Sequence, residues 1–450
     1  MLSCAAGVAD ANPGPLDPGR SSTLGAGSGG AIPGLRHNPA AAVMTLQPDE
    51  RFKSSVLNIL NFGVEAGDVD DFVERIEVLG NCLEEQVTDD CTDSQGNVIR
   101  PIGDDDISIQ EGLALEQEFN GALESIGRDG YVLLDTQIQL PSMPLVFRAG
   151  PGVIGLDIHG AGLAQASVLD DSLRFNPITE SIETDTAAYI RTARFVNLGL
   201  SYAQDLAPQL SSMLEGSELL GQWAFGARLT LMQGTMARVV AAVDSEDDNG
   251  QDAFDRAEDA YDQAERETTT IALDLGFMWN YERYAAGLTL RNLNSPSFDY
   301  NPLGEDCGSI LNPGEQADCL VAATFADRLD GQDVYEAEPQ VMLEGRLGFL
   351  DNQLRLSTQL ELNSVESPVG LDYQWWNLGL EYAPSLQWIP SLRAGYRNNL
   401  ASGGVDALAL GLTLFGVINL DVARSTDSVV VDGSELPRYA AVSLGFEMPL

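Results

Sequence analysis

The chain offers few side chains that could work as a nucleophile and its base. Its two histidines are His37 and His159, and no serine lies in the G-x-S-x-G pattern of a hydrolase. His37 belongs to a Gly-rich segment, and His159 stands among apolar residues, where a histidine commonly packs in the interior. Because a serine nucleophile needs an adjacent base, the sequence indicates no enzyme and no cofactor.

An acidic stretch at residues 244–249, followed by Gly250, suggests a calcium-binding loop. With Gly250 as the sixth residue of an EF-hand loop, Ser245 becomes the first residue and Arg256 the twelfth. Those positions need an acidic ligand and a bidentate Glu, so an EF-hand is excluded. Loose calcium binding by the carboxylates stays open beside a solvated loop that leads into a helix from Asp252 to Glu267. We predict no metal site.

Four of the five cysteines form two local pairs, Cys82 with Cys91 and Cys307 with Cys319. Each pair lies in a polar, Asp-rich segment, and even numbers at short spacing in an exported chain predict two disulfides. Zinc is the alternative. Because neither pair has C-x-x-C spacing or a nearby histidine, we favour the disulfides.

The segment Asn352–Leu362 shows how the charged residues are distributed. Leu354 and Leu356 fall on one face of an extended strand, while Arg355 and Glu361 fall on the other. In a soluble sheet the polar face would meet water and the leucine face a core. In a membrane barrel the leucine face meets lipid and the polar face lines the interior.

The same alternation in other segments assigns further charges to the polar face, and inward glycines such as Gly226 and Gly276 leave room for a plug. We expect these charges to pair across strands and fill the interior, with an open ion-conducting channel as the alternative. The residues assigned to the lumen are Arg228, Asp274, Arg291, Glu344, Arg346, Arg355, Glu361, Glu381, Arg393 and Arg397.

The alternating segments and their connections favour the membrane barrel. No apolar run reaches the roughly 18 to 20 residues of a spanning helix, so a membrane protein with this sequence must be a closed barrel. Tight breaks at Pro141-Ser142, Glu282-Arg283, Asp351 and Phe415-Gly416 alternate with long polar loops. Short turns on one side and long loops on the other are typical of outer-membrane barrels.

The prediction is an all-β transmembrane fold, an antiparallel outer-membrane β-barrel of about 14–16 strands in a Gram-negative bacterium. Phe52–Ala66 is the first strand of a count of 16, and 14 is the count if the pieces between Met143 and Asp170 are partly irregular. An even number is expected in either case.

The N-terminal residues indicate export. Ala9 and Ala11 form an A-x-A site with cleavage after Ala11, and Cys4 as an acylated residue is the alternative. Helical spacing of apolar residues, as in Leu115 to Leu123, marks an insertion. The predicted boundaries are a signal-peptide remnant at 1–11, a Gly-rich plug-like segment at 12–50, and the barrel at 51–450, with a helical insertion at 68–128 and long loops at 171–192, 234–270 and 294–338.

The net charge of -44, with Lys53 as the single lysine, excludes one class of partner. Binding to nucleic acid needs Lys and Arg side chains that displace counterions from phosphates, so we expect none. The acidic residues are instead expected on a solvated surface.

Two short motifs near the N-terminus carry a resemblance. Gly29-Gly30-Ala31 followed by Asn38-Pro39-Ala40 resembles the mature N-terminus of the outer-membrane superfamily that contains the long-chain fatty-acid transporter (FadL-like). Within it, the chain looks most like the barrel proteins named conjugal transfer protein TraF, which are distinct from the thioredoxin-like protein of that name. The resemblance assigns the plug motif to Gly29, Gly30, Ala31, Asn38, Pro39 and Ala40.

The resemblance to the TraF-like barrels implies an envelope component of conjugative transfer, with outer-membrane lipid and conjugation-apparatus proteins as partners. The wider superfamily implies a different function, passive transport of hydrophobic molecules such as long-chain fatty acids, with an apolar pocket beside the plug and a lateral opening in the wall. A structural or adhesive surface barrel, in which the acidic loops matter and the lumen does not, is the second alternative.

Overall fold

The computed structural model describes residues 37–46, 50–54, 60–70, 75, 78, 82, 91–92, 97–100, 107–139, 145–178, 181–206, 221–243, 257, 260–261, 263–329, 333–386, 388–401, 403–431 and 433–446. Its helices are α1 (Ala42–Thr45), α2 (Ile109–Asp129) and α3 (Pro313–Thr324), with 3-10 turns at Pro39–Ala41 and Cys307–Ser309. The strands are β1 (Phe52–Ser54), β2 (Leu60–Ala66), β3 (Cys91–Thr92), β4 (Val98–Arg100), β5 (Tyr131–Gln139), β6 (Leu145–Ala149), β7 (Gly152–Leu169), β8 (Arg174–Asn176), β9 (Ser181–Glu183), β10 (Ala187–Asp205), β11 (Gln222–Ala242), β12 (Arg266–Tyr281), β13 (Tyr284–Arg291), β14 (Ser297–Asp299), β15 (Val334–Glu336), β16 (Gln340–Phe349), β17 (Leu354–Glu361), β18 (Val365–Glu366), β19 (Asp372–Tyr373), β20 (Trp375–Tyr382), β21 (Ser391–Asn399), β22 (Asp406–Leu414), β23 (Ile418–Ser425), β24 (Ser428–Val431), β25 (Ser434–Pro437) and β26 (Tyr439–Phe446).

One antiparallel sheet closes into a barrel of 14 wall strands. Strand β7 pairs with β10 on one side and with β5 on the other, which joins the two ends of the sheet. The remaining neighbours follow the chain order from β10 to β26, and β26 pairs with β2. The predicted fold class and even strand number are confirmed.

Of the two predicted strand counts, 14 is confirmed and 16 is wrong, because a predicted turn does not reverse the chain. The break at Pro141-Ser142 lies outside the described residues, but β5 before it and β6 after it both pair antiparallel with β7. Both therefore belong to one wall strand. A proline cannot donate to a ladder hydrogen bond, so a proline in a sequence is compatible with an interrupted strand as well as with a hairpin turn. Likewise, Gly160 and Gly162 lie within the single strand β7.

Other tight turns are where the sequence predicts them. Glu282 joins β12 to β13, Asp351 joins β16 to β17, and both have positive φ. Phe415 and Gly416, between β22 and β23, have φ values of 55° and 69°. Two successive positive φ angles are the geometry of a type I′ hairpin turn, whose twist matches that of the flanking strands.

The side chains of the wall alternate as expected. On β17, Ser357, Gln359 and Glu361 are buried inside, whereas Leu356 is exposed on the outer face, as is Leu362 directly after the strand. A closed barrel with an apolar exterior and a polar interior satisfies its backbone hydrogen bonds without water and meets lipid with apolar side chains. The chain is an outer-membrane β-barrel.

No helix in the described part of the chain is long and apolar enough to cross a bilayer.

The wall is taller on one side than on the other. Strands β7, β10 and β11 have 18, 19 and 21 residues, whereas β17, β20 and β23 have 8 each. A membrane strand needs only about 9 to 11 residues, so the tall side extends beyond the bilayer. The extension lies at the end with the long loops, which is the extracellular end of an outer-membrane barrel.

Helix α2 lies in the first extracellular loop. A capping box fixes its start, because the Ser108 hydroxyl accepts from the Glu111 amide and the Glu111 carboxylate accepts from the Ser108 amide. Its Leu115 and Phe119 pack with the cystine Cys82–Cys91, whose S–S distance is 2.07 Å. The second predicted disulfide, Cys307–Cys319, is also formed. Both pairings are confirmed.

Candidate functional site: the occupied lumen

Residues 37–46, here called the lumen segment, lie inside the barrel. Asn38 begins a 3-10 turn, and its Oδ1 accepts from the Ala40 amide at 3.0 Å. Pro39 follows at the first helical position, where its missing N–H costs nothing. Ala42 and Leu46 pack against Val146 and Val153 of the wall. The chain thus fills part of its own barrel.

Two inward glycines make the space for the lumen segment. Gly226 on β11 and Gly276 on β12 are direct cross-strand partners, and together they are called the glycine seat here. A Cβ atom at Gly226 would lie 2.4 Å from the Ala40 nitrogen, and one at Gly276 would lie 2.1 Å from Asn38 Oδ1. At Gly226 the backbone of the lumen segment packs directly on the glycine, and at Gly276 the Asn38 side chain does, so neither position has room for a Cβ atom.

Two charged wall residues hold the start of the lumen segment. The Asn38 amide group donates to Glu344 Oε1 at 2.6 Å and to the Phe277 carbonyl at 3.2 Å. One step earlier, Arg291 Nη2 lies 2.9 Å from His37 Nδ1. Asn38 is fully buried, so these bonds satisfy polar groups that have no access to water.

The structure places all the predicted lumen charges on the inner face, and it gives each a partner. Ion pairs account for three of the arginines: one pair joins the adjacent strands β17 and β20, and the other two reach across the strand that lies between β7 and β11 or between β21 and β23. These pairs are Arg228–Asp157 at 3.0 Å, Arg355–Glu381 at 2.5 Å and Arg393–Asp421 at 2.8 Å. The other contacts are Asp274 with the Asn292 amide at 2.9 Å, Arg346 with Asn280 at 3.4 Å, Glu361 with the Trp375 amide at 2.6 Å, and Arg397 over the Trp375 ring at 4.4 Å.

Sequence reasoning missed the polar cluster around His159. His159 is packed in the interior, as expected, but its neighbours are polar: its Nδ1 lies 2.7 Å from Asp157 Oδ1, and Asn197 Nδ2 lies 3.4 Å from its Nε2. All three residues are buried on the inner face. Asp157 and His159 are two positions apart on β7, so the sequence could have predicted that they share one face of the strand.

The remaining motifs fall elsewhere. Gly29, Gly30 and Ala31 lie outside the described residues, as does the acidic stretch at 244–249. Within the described ranges, no three His, Cys, Asp or Glu side chains are grouped to hold a metal ion.

The segment between β13 and β16, here called the cap, packs onto the inner face of the tall wall. Phe298 of β14 and Tyr335 of β15 contact Phe195, Met232 and Met236, which are inward residues of β10 and β11. The rings of Phe195 and Phe298 meet edge to face with centroids 4.8 Å apart. These contacts bury an apolar surface that the tall wall would otherwise expose to water.

Helix α3 continues the cap towards the extracellular end. The Asn312 side chain accepts from the Gly314 amide at 2.9 Å, which starts the helix. Val321 and Phe325 pack on Tyr189 and Val240 of the tall wall. The disulfide Cys307–Cys319 ties the 3-10 turn before α3 to the helix itself.

Residues 362–374, here called the crossing loop, join β17 to β20 and reach the opposite wall. Val369 packs with Leu133 and Leu163, which lie on β5 and β7. In the ring of 14 strands, β20 is seven strands from β7, so the loop must cross the lumen to make these contacts. Its outer side meets the cap, because Tyr300 donates to the Pro368 carbonyl and Tyr335 donates to the Glu366 carbonyl at 3.2 Å. Burial raises the pKa of Tyr300, so its hydroxyl keeps the donated proton.

The lumen is thus occupied at two levels. The lumen segment lies beside Val153 and Gly226, near the periplasmic ends of β7 and β11, and the crossing loop and cap lie near their extracellular ends. Paired charges line the wall between them. The described residues thus place parts of the chain in the lumen near both ends of the barrel.

A search against protein families matches residues 36–360 to the family described as "F plasmid transfer operon, TraF, protein". A search of curated proteins finds no match.

Among solved structures, the chain is similar to the TodX deltaS2S3 mutant monoaromatic hydrocarbon channel, with 10% identity, a TM-score of 0.45, and coverage of 95% of this chain and 97% of that one. It is also similar to the P. putida toluene transporter TodX, with 10% identity, a TM-score of 0.37, and coverage of 95% and 98%. A third similar structure is CdiB from Escherichia coli, with 9% identity, a TM-score of 0.31, and coverage of 90% and 64%.

Proposed function

The chain belongs to the family described as "F plasmid transfer operon, TraF, protein", and from that membership we propose that it is an outer-membrane component of a conjugative transfer apparatus. It acts there without catalysis, as an envelope protein that presents its extracellular cap to other components. The observation that carries this choice over a conduit is the lumen, which the chain itself occupies.

The contacts of the lumen support a resting state that is closed. Asn38 is fully buried and bonded to Glu344, and the seat at Gly226 and Gly276 leaves no gap beneath it. At the other end, the crossing loop spans the ring to Leu133 and Leu163. A barrel filled in this way offers partners its outer surfaces rather than a passage.

The cap is the surface best suited to such partners. It stands on strands that extend beyond the bilayer, and its own disulfide and apolar contacts hold it in one arrangement. A rigid surface loses little conformational freedom on binding, which favours association.

The test is a mating assay with the gene deleted in the donor, the recipient or both. A copy of the wild-type gene should restore the frequency of plasmid transfer that the deletion lowers. A capless variant should not restore it. Residues 297–336 can be replaced by a short Gly-Ser linker because the Ala337 amide donates to the Pro296 carbonyl at 2.8 Å, so the two ends already meet.

The control is Arg355→Gln, which changes the lumen and leaves the cap in place. It should restore transfer as the wild type does. Each protein must also show the shift in gel mobility on boiling that marks a closed barrel. Transfer at wild-type frequency after deletion from both cells would refute the proposal, and full restoration by an assembled capless barrel would refute the role of the cap.

A second candidate function, passive transport of a hydrophobic molecule, is favoured by one feature of the wall. Gln139 pairs with His159, whereas Leu145 pairs with Leu156, so β5 and β6 advance six residues while β7 advances three. A regular ladder cannot absorb this offset. It lies beside the lumen segment, whose Ala42 contacts Val146. The change of register between β5 and β6 suits a lateral exit for an apolar solute.

Uptake of a radiolabelled long-chain fatty acid and of toluene, measured in cells with and without the chain, tests the second candidate. Faster uptake that depends on the chain, with unchanged plasmid transfer, would favour transport. Unchanged uptake with impaired transfer would favour the first proposal.

A further inference from the structure

The outer face of the wall has a recess at its extracellular rim. A cavity of about 370 Å³ lies between three wall strands, β2, β5 and β26, and the hairpin β24–β25. Ala66, Val132 and Ala440 form its wall side, and Val429 and Leu436 form its hairpin side. Its lining is almost entirely apolar.

The recess faces the membrane side of the wall. Glu65 and Tyr439 are buried on the inner face, and side chains on a strand alternate between faces. Their neighbours Ala66 and Ala440 therefore point outwards. The hairpin leans over this outer face, because the Val430 amide donates to Asp70 Oδ1 at 2.9 Å in the loop after β2.

A change in side-chain size along the wall creates the recess. Next to the hairpin the outward residues of β2 and β26 are Ala66 and Ala440. Further towards the membrane, Phe62, Leu134 and Val442 stand out from the same surface and are 44%, 41% and 44% exposed. The recess therefore opens directly onto the lipid-facing belt.

The hairpin places apolar side chains at the mouth of the recess. Leu436 and Val431 are 45% and 38% exposed in a loop where polar residues would be expected at the surface. The one charged residue of the lining is Arg438, whose Nε donates to the Ala66 carbonyl at 3.2 Å. The lining thus suits a hydrocarbon and offers little to a polar ligand.

We propose that this recess binds an acyl chain of an outer-leaflet lipid. Its volume lies within the roughly 300 to 1,000 Å³ of ligand pockets. A lipid chain reaches it along the apolar belt without passing through water, and binding covers Leu436 and Val431. The bound chain fills the space between the hairpin and the wall, so that lipid joins the rim of the barrel to its last extracellular loop.

The experiment uses the full barrel in phosphatidylethanolamine vesicles that contain an analogue with a diazirine near the end of one acyl chain. After irradiation, mass spectrometry maps the adducts. The wild-type protein should carry adducts on the β24–β25 hairpin in addition to those on the belt at Val442 and Leu444. Adducts confined to the belt would overturn the proposal.

Two variants test whether the recess itself holds the chain. Ala440→Trp fills it, and Leu436→Asp places a charge at its mouth, so each should lose the hairpin adducts and keep those on the belt. The matched control is Leu408→Trp, which adds the same ring to the outer face of β22, away from the recess. Hairpin adducts that persist in either assembled variant would overturn the assignment, and their survival in the control is required.

Discussion

The glycine seat makes a sharp prediction about the lumen segment. Replacing Gly276 or Gly226 with alanine places a methyl group where Asn38 Oδ1 or the Ala40 backbone now lies, at 2.1 Å and 2.4 Å. Both distances are far below van der Waals contact. The atoms met at Gly226 are backbone atoms, and the Asn38 side chain met at Gly276 is fully buried and bonded to Glu344. We expect the lumen segment to shift, while the wall, held by its ladders on both sides, stays in place.

The magnitude follows from the cost of overpacking. An added methyl group in a close-packed site costs about 1 to 3 kcal/mol. If this cost falls on the seated state of the segment, the fraction of molecules with the segment displaced rises about 5- to 150-fold. Glu344 then loses its bond to Asn38, which adds to the effect.

Cysteine accessibility measures that fraction. Ala41 is fully buried in the lumen segment, so Ala41→Cys, in a background with Cys4→Ser, reacts with a water-soluble maleimide only when the segment leaves its seat. The rate of maleimide labelling in Gly276→Ala should exceed the wild-type rate about 5- to 150-fold. The control is Gly345→Ala, because the one atom near a Cβ there is Thr358 Cγ2 at 3.6 Å, an ordinary contact.

A wild-type labelling rate in Gly276→Ala, with the barrel assembled, would refute this account of the seat. A rise of the same size in both would show that the wall, and not the seat, had been disturbed.

Three further predictions concern the wall and the cap. Leu356→Arg puts a charge on the lipid face, which costs roughly 2 to 4 kcal/mol near mid-membrane. It should therefore reduce the heat-modifiable fraction of the protein far more than Arg355→Gln does. Equal tolerance of both changes would contradict the assignment of Leu356 to the outer face of β17. Arg393→Ala removes the ion pair of the buried Asp421 carboxylate and should lower the free energy of unfolding by about 3 to 5 kcal/mol in a urea titration. The double change with Asp421→Ala should largely recover this loss. Cys307→Ser opens the cap disulfide and should destabilise the folded cap by about 3 kcal/mol. Proteolysis of the cap should therefore become faster, while the heat-modifiability of the barrel stays the same.

The inner and outer faces of the wall could be predicted because a strand repeats every two residues. In Asn352–Leu362 that repeat assigned Arg355 and Glu361 to the lumen and Leu356 to lipid, and the structure agrees. The local pairing of cysteines was equally legible, since Cys307 and Cys319 are 12 residues apart.

The partners across the lumen could not be predicted. Asn38 and Glu344 are 306 residues apart, and their contact depends on which strands face each other in a ring of known size. The path of the crossing loop also depends on the number of strands in the ring. The error at Pro141 has a related cause, because a proline in a wall strand and a proline in a turn look alike until the neighbouring ladder fixes the direction of the chain.

The two occupants of the lumen lead to a last prediction, because they lie at different depths. The lumen segment is held at Gly226 and Gly276, and the crossing loop is held at Leu133 and Leu163 on the extracellular side. Two closures in series block a pore even when one is open. Gly276→Ala alone should therefore raise maleimide access to the segment from the periplasmic side without raising conductance in a planar bilayer. Replacing residues 365–371 with a Gly-Ser linker should likewise leave conductance low, and the combination of both changes should produce open channels. High conductance from either single change, in a barrel that still shifts on boiling, would mean that one occupant alone closes the lumen.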